Sequence, residues 1–112
     1  ISLAGDTHNG QAVNPANPKR QAVGVEGASP GLSSTRLAHY VPPPTKQMQA
    51  LLIGASPELA ACDTSQRGWT EVRLTPEAAT ARWWFVSSVT EPTYQTSAGE
   101  PLVTQRNARK LA

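Results

Sequence analysis

The residue types that could carry out chemistry are concentrated near the start of the chain, in the segment Gly5-Asp6-Thr7-His8. The segment follows an apolar run, Ile1 to Ala4, which is predicted to form a short buried strand; functional loops in α/β sheets lie at strand ends. Side chains two residues apart in extended backbone point the same way, so Asp6 and His8 are expected to approach one cation together. A carboxylate oxygen and an imidazole nitrogen suit Fe, Mn or Zn. The spacing is therefore compatible with part of a metal site.

An ordinary turn is the alternative interpretation of this segment. Two protein ligands are fewer than a catalytic zinc site or a two-metal site commonly uses. His39 is the only other histidine, and no spacing singles out carboxylates such as Glu26 or Asp63 as further ligands. Asn9-Gly10 is the preferred pair of a type I′ turn, and aspartate is a common turn residue. The spacing alone favours the turn over metal binding.

The composition argues against several other kinds of function. Cys62 is the only cysteine, so the chain cannot form an intrachain disulfide or a cysteine-based metal site, and no neighbouring base is evident to activate it. The net charge is +2, and the basic residues are scattered. Specific nucleic-acid binding is therefore not expected, because it usually needs a clustered basic face. No apolar run is long enough to predict a membrane span.

Residues 1–44 are predicted to hold short strands and loops around the candidate metal segment. The chain as far as Arg20 is predicted to be loop, since it contains Asn-Pro twice, and Gln21 to Val25 is predicted to form a second short strand. A short helix is predicted over residues 45–54, with Thr45 as its N-terminal cap.

Residues 68–90 are predicted to form an antiparallel β-hairpin. Trp69 to Leu74 alternates in polarity, a turn containing proline follows, and Thr80 to Val86 is rich in aromatic and β-forming residues. The adjacent Trp83 and Trp84 must point to opposite faces of their strand, so both faces of the hairpin are expected to be at least partly covered.

The remainder, residues 91–112, is polar and small and is predicted to be a loose or frayed tail. The chain begins at Ile1 within an apolar run, which predicts that it continues from an earlier part of a longer protein. Residues 1–112 are therefore expected to be a single segment of an α+β, mostly β domain.

Several segments, taken in order, resemble the C-terminal part of the alkaline phosphatase D family. The similarity covers most of the chain, and it depends on the succession of segments more than on any one of them. The segments are Gly5-Asp6-Thr7-His8-Asn9, Val25 to Leu32, Ala55 to Leu59, Asp63 to Trp69, Glu71 to Glu77 and Ala81 to Val86.

This resemblance implies the calcineurin-like metallophosphatase fold, a two-sheet αββα sandwich of which this chain would be the C-terminal part. Such enzymes are typically exported, so a periplasmic or secreted location is expected. They hydrolyse phosphomonoesters or phosphodiesters with metal-activated hydroxide. By position, Asp6 and His8 would be metal ligands and Asn9 a catalytic group beside the metal or the substrate. The implied cofactors are divalent or trivalent ions of Fe, Ca, Mn or Zn.

The chain also departs from the family pattern. Gln11 stands where a bulky aromatic residue is expected, and most of the metal site is absent. The chain is therefore expected to be inactive alone, with a phosphate ester site completed by an N-terminal chain or region of the same enzyme. Two alternatives remain. One is a non-catalytic β-rich binding or structural module whose tryptophan-bearing hairpin docks a partner, and the other is a degenerate family member that has lost catalysis.

Overall fold

The computed structural model describes residues 1–41 and 45–112. The described residues form two four-stranded β-sheets, the first from strands before residue 64 and the second from strands after residue 66, with few helices. In chain order the elements are β1 (Ser2–Ala4), β2 (Gly10–Val13), β3 (Glu26–Ala28), α1 (Leu37–Tyr40), α2 (Thr45–Ala55), β4 (Leu59–Asp63), β5 (Arg67–Leu74), β6 (Ala78–Val86), β7 (Thr96–Ala98) and β8 (Leu102–Gln105). The expectation of an α+β, mostly β fold is confirmed at this level.

The first sheet has the strand order β1-β3-β2-β4, with β1 and β3 parallel and the other pairs antiparallel. The strand predicted at Ile1 to Ala4 is confirmed by β1, but its predicted burial is wrong, because Ile1 and Leu3 are 69% and 61% exposed. The predicted loop as far as Arg20 is wrong in part, because it contains β2. The strand predicted at Gln21 to Val25 is also wrong, since Ala22 forms only an isolated bridge and strand β3 begins at Glu26. Pairing with β1 and β2 decides this position, which the weak local alternation did not indicate.

The second sheet is built around β6. Its antiparallel partner β5 pairs from Arg67 with Val86 to Leu74 with Ala79, so the predicted hairpin is confirmed. On its other edge, β6 pairs with β7 near its C-terminal end and with β8 near its N-terminal end. The prediction of a loose tail is therefore wrong. Main-chain hydrogen bonds to β6 hold these short strands in place. Leu102 on β8 and Leu111 beyond it also pack against the buried cluster around Trp83.

The two sheets meet around Trp83, which is buried on β6. Its indole Nε1 donates a hydrogen bond to the carbonyl oxygen of Ala28 at 3.2 Å, and the ring packs over Gly10, where an added Cβ would lie 3.0 Å from Trp83 Cε2. Trp83 also forms a buried cluster with Ala12 and Phe85. On the opposite face of the hairpin Trp84 stacks on Trp69, with ring centroids 6.3 Å apart. The expectation that both faces are at least partly covered is confirmed for the Trp83 face only, since Trp69, Glu71 and Arg73 are exposed on the outer face.

The helix predicted over 45–54 is observed as α2, and it contributes no buried side chain. Predicted loop residues 42–44 lie outside the described residues. The core is thin: the solvent-accessible surface is 7374 Å², against about 6,000 Å² expected for a folded chain of this mass. Among the described residues, no helix has the length and apolar character needed to cross a membrane.

Candidate functional site

The segment between β1 and β2 is a turn rather than extended backbone. The His8 amide donates a hydrogen bond to the carbonyl oxygen of Gly5 at 3.1 Å, and His8 adopts a left-handed conformation with φ 57°. The extended geometry expected for Asp6 and His8 is therefore wrong, because the turn ends the strand before either residue. The type I′ turn at Asn9-Gly10 is wrong as well, since that turn needs positive φ at both residues and neither has it.

His8 is nevertheless held in a defined position. Its ring nitrogen Nδ1 lies 3.2 Å from the carbonyl oxygen of Thr35, and its own carbonyl oxygen accepts a hydrogen bond from the Gly31 amide at 3.0 Å. When Nδ1 carries the proton, it donates to Thr35 and leaves the lone pair on Nε2. Metal-binding histidines are commonly oriented in this way, by a backbone carbonyl on the other ring nitrogen.

Asn9 ties the same turn to the start of α1. Its side-chain Nδ2 donates to the carbonyl oxygen of Thr7 at 2.6 Å, and its Oδ1 accepts from the Leu37 amide at 3.2 Å. The residue is buried. These contacts give Asn9 a positioning role in the turn, and its catalytic role remains a prediction.

Asp6 is exposed on this turn, and the described residues offer no complete metal site. In residues 1–41 and 45–112, no group of three or more His, Cys, Asp or Glu side chains could hold a metal ion. The other histidine, His39, is exposed and packs edge-to-face on Tyr40. A metal bound by Asp6 or His8 would therefore need further donors from outside the described residues.

Asp63 has a structural role in the connection between the two sheets. Its Oδ1 accepts hydrogen bonds from the Ser65 amide at 2.8 Å and the Gln66 amide at 2.7 Å, and its Oδ2 accepts from Gln66 Nε2 at 2.8 Å. These bonds account for both carboxylate oxygens. Aspartate commonly stabilises turns in this way, so its position is explained without a metal.

The loop before α1 is held by two arginines that the sequence did not single out. Arg67 Nη1 donates to the carbonyl oxygens of Leu32 at 3.1 Å and Ser34 at 2.8 Å. Arg36 Nη1 donates to the carbonyl oxygen of Ser65. The two guanidinium groups come from positions far apart in sequence, so no local motif could have indicated that they are neighbours.

Cys62 lies half-buried on β4, with its Sγ 3.8 Å from the carbonyl oxygen of Gln49. Burial raises the pKa of the thiol, and the negative charge of Asp63 raises it further. The reactive thiolate is therefore disfavoured, which agrees with the absence of a nucleophile motif around Cys62.

Comparison of the chain with protein-family models, with curated proteins and with solved structures gives no match. The resemblance to the alkaline phosphatase D family therefore rests on the sequence segments alone. The geometry described above adds a fixed histidine and an exposed carboxylate on one turn.

Proposed function

We propose that this chain is the C-terminal part of a metal-dependent phosphomonoesterase or phosphodiesterase of the alkaline phosphatase D type. Asp6 and His8 would supply ligands to a site that an N-terminal chain or region of the same enzyme completes. The observation that carries the proposal is the orientation of His8, whose Nδ1 faces the Thr35 carbonyl oxygen. Metal-binding histidines commonly make such a contact through one ring nitrogen and bind the metal through the other. The family resemblance supplies the reaction and an exported location, periplasmic or secreted.

The proposed cofactor is one or more divalent or trivalent ions of Fe, Ca, Mn or Zn. When bound, such an ion lowers the pKa of a water molecule and polarises the phosphoryl oxygen of a phosphate ester. Asp6 would add negative charge beside the ion, and His8 a neutral nitrogen donor. Asn9 would hold the turn that carries both residues, through its bonds to Thr7 and Leu37.

The test is substitution of the two ligands in the full-length enzyme. Asp6→Asn and His8→Ala are each expected to lower hydrolysis of a chromogenic phosphate ester by roughly 100-fold or more, because catalysis depends on the metal-activated nucleophile. Bound metal, measured by mass spectrometry on the same samples, should fall in parallel. His39→Ala is the matched control, since His39 is exposed and lies outside the turn. Near-normal turnover with full metal content in both ligand variants would refute the proposal.

A non-catalytic binding or structural module is the second candidate function. The outer face of the β5–β6 hairpin favours it, because Trp69 is 41% exposed there and stacks on Trp84. Exposed aromatic side chains are common at sites of protein association. Partner binding that is lost in Trp69→Ala but survives the double variant Asp6→Ala, His8→Ala would favour this function over the first.

A further inference from the structure

A polar cleft of about 580 Å³ opens beside the two arginines that hold the loop before α1. It lies between the connection from β4 to β5 and the segment that follows β6. The polar side chains that line it include two guanidinium groups and four hydroxyls. They belong to Arg36, Arg67, Ser65, Ser87, Ser88 and Thr90. No carboxylate lines the cleft among the described residues.

The cleft carries a concentration of positive charge. Arg36 and Arg67 are both half-buried, and the pKa of Arg36 is lowered, first by burial and then by the charge of Arg67. Asp63 offsets part of this charge, but both of its oxygens are bonded to the turn that follows it. Two neighbouring guanidinium groups with one carboxylate nearby leave excess positive charge, which a bound anion would neutralise.

The two guanidinium groups are also fixed in place. Arg67 is held through Nη1 by the carbonyl oxygens of Leu32 and Ser34, and Arg36 through Nη1 by that of Ser65. Within the described residues, neither group makes a hydrogen bond through Nε or Nη2. A guanidinium carries five N–H donors in a planar fork, so each retains donors for a ligand without having to be ordered on binding.

We propose that this cleft binds a phosphoryl group. Arginine forks match the geometry of phosphate oxygens and bind them with charge-assisted hydrogen bonds. The Ser87 hydroxyl accepts a hydrogen bond from the Gln95 amide, so its own proton can be donated to a ligand. The loop held by the arginines also contacts the candidate metal turn, because Thr35 carries the carbonyl oxygen that faces His8 Nδ1. Asp6 and His8 do not line the cleft, so phosphoryl binding can be tested independently of the proposed metal centre.

The direct test is titration of the ¹⁵N-labelled chain with inorganic phosphate and with phenyl phosphate at constant ionic strength. Saturable shifts are expected at the amides of residues 65–67 and 87–90. Tighter binding of inorganic phosphate would identify a site for free phosphate, and tighter binding of phenyl phosphate a site for an esterified phosphoryl group. Shifts that scatter over all basic residues, or that chloride reproduces, would overturn the proposal. Because this experiment uses the unaltered chain, its outcome does not depend on whether a variant folds.

A pair of arginine variants provides the second test. Arg36→Gln is expected to raise the Kd for the tighter-binding probe at least about tenfold, since it removes a charge-assisted hydrogen-bond donor. Arg82→Gln is the matched control: it removes the same charge from a separate cleft, which Glu71 and Arg73 also line. The Kd should change less than about twofold in this control. An equal weakening in both variants would show that only net charge matters, and would refute a specific site.

Discussion

At the scale of single residues, the candidate site depends on the backbone conformation of His8 and on the two contacts that hold it. Its φ of 57° lies in the left-handed region, which is unfavourable for a residue with a Cβ. The amide of Gly31 and the carbonyl of Thr35 hold it from two sides. A residue keeps an unfavourable backbone conformation only where surrounding contacts hold it there, and such residues occur often at functional sites.

Gly31 offers a way to move His8 without removing it. A Cβ at Gly31 would lie 3.2 Å from His8 Cβ and 3.3 Å from its carbonyl oxygen, so Gly31→Ala should displace the histidine. We expect metal affinity of the full-length enzyme to fall about 10-fold to 100-fold, the range seen when support of a ligand is lost. The measurement is a competitive metal titration.

Gly24→Ala is the matched control for this experiment, since its added Cβ meets no atom within 4 Å. Its metal affinity should equal that of the parent enzyme. Unchanged affinity in Gly31→Ala would mean that the position of His8 has no bearing on metal binding.

Cys62 provides a second prediction at this scale, from the direction of its pKa. Because burial and Asp63 raise the pKa of the thiol, less thiolate is present at any given pH than in a free cysteine. Alkylation by iodoacetamide, which consumes the thiolate, should therefore be slower than for a cysteine peptide at pH 8. The midpoint of its pH–rate profile should lie above that of the peptide. A midpoint at or below the peptide value would contradict this environment.

At the scale of elements, the contact between β2 and β6 joins the two sheets. The indole of Trp83 lies against Gly10 so closely that an added Cβ would stand 3.0 Å from the ring. Glycine at this position is required by packing, and not by a positive φ. The close approach also brings the Trp83 indole to the Ala28 carbonyl oxygen on β3.

Gly10→Ala should therefore destabilise the chain by about 1–3 kcal/mol, the usual effect of overpacking a buried contact. Urea unfolding followed by tryptophan fluorescence measures the change. Gly54→Ala is the matched control: it lies in α2 with open space at its Cβ, and should stabilise the chain by about 0.5–1 kcal/mol. Equal effects of the two substitutions would show that Trp83 does not pack against β2 in solution.

At the scale of the whole molecule, apolar side chains are distributed unevenly between the interior and the surface. Only six hydrophobic residues are buried: Ala12, Val25, Ala28, Leu59, Trp83 and Phe85, in the described part of the chain. Large apolar side chains such as Leu3 and Leu51 are more than half exposed. The radius of gyration, 14.5 Å, also exceeds the roughly 13 Å expected at this length.

Such a thin core should depend strongly on each buried aromatic residue. We expect Phe85→Ala to cost about 3–5 kcal/mol, which approaches the whole stability of a small domain. Leu51→Gln on α2 should stay within about 0.5 kcal/mol, because Leu51 is 65% exposed. Circular dichroism during urea unfolding compares the two. A large loss in Leu51→Gln would indicate that α2 packs against another surface in solution.

Local sequence patterns predicted the elements that form from residues near each other in the chain. The hairpin was predictable from alternation between Trp69 and Leu74 and the aromatic run that follows, and α2 from the helix-forming residues Lys46 to Ile53. Such elements need only local turns and short-range pairing. The position of the candidate metal turn at the end of β1 was likewise visible in Gly5 and Asp6.

Tertiary structure alone decided the rest, because the deciding partners are distant in sequence. The register of β3 depends on β1 and β2, and the short segments β7 and β8 became strands by pairing with β6. The same holds for the candidate sites. Thr35, which contacts the His8 ring, lies 27 residues after it in the sequence. Arg36 and Arg67 are also distant in sequence, and each donates a hydrogen bond to a backbone carbonyl near the other. Periodicity reports which face of an element is apolar, whereas these contacts depend on which elements fold against each other.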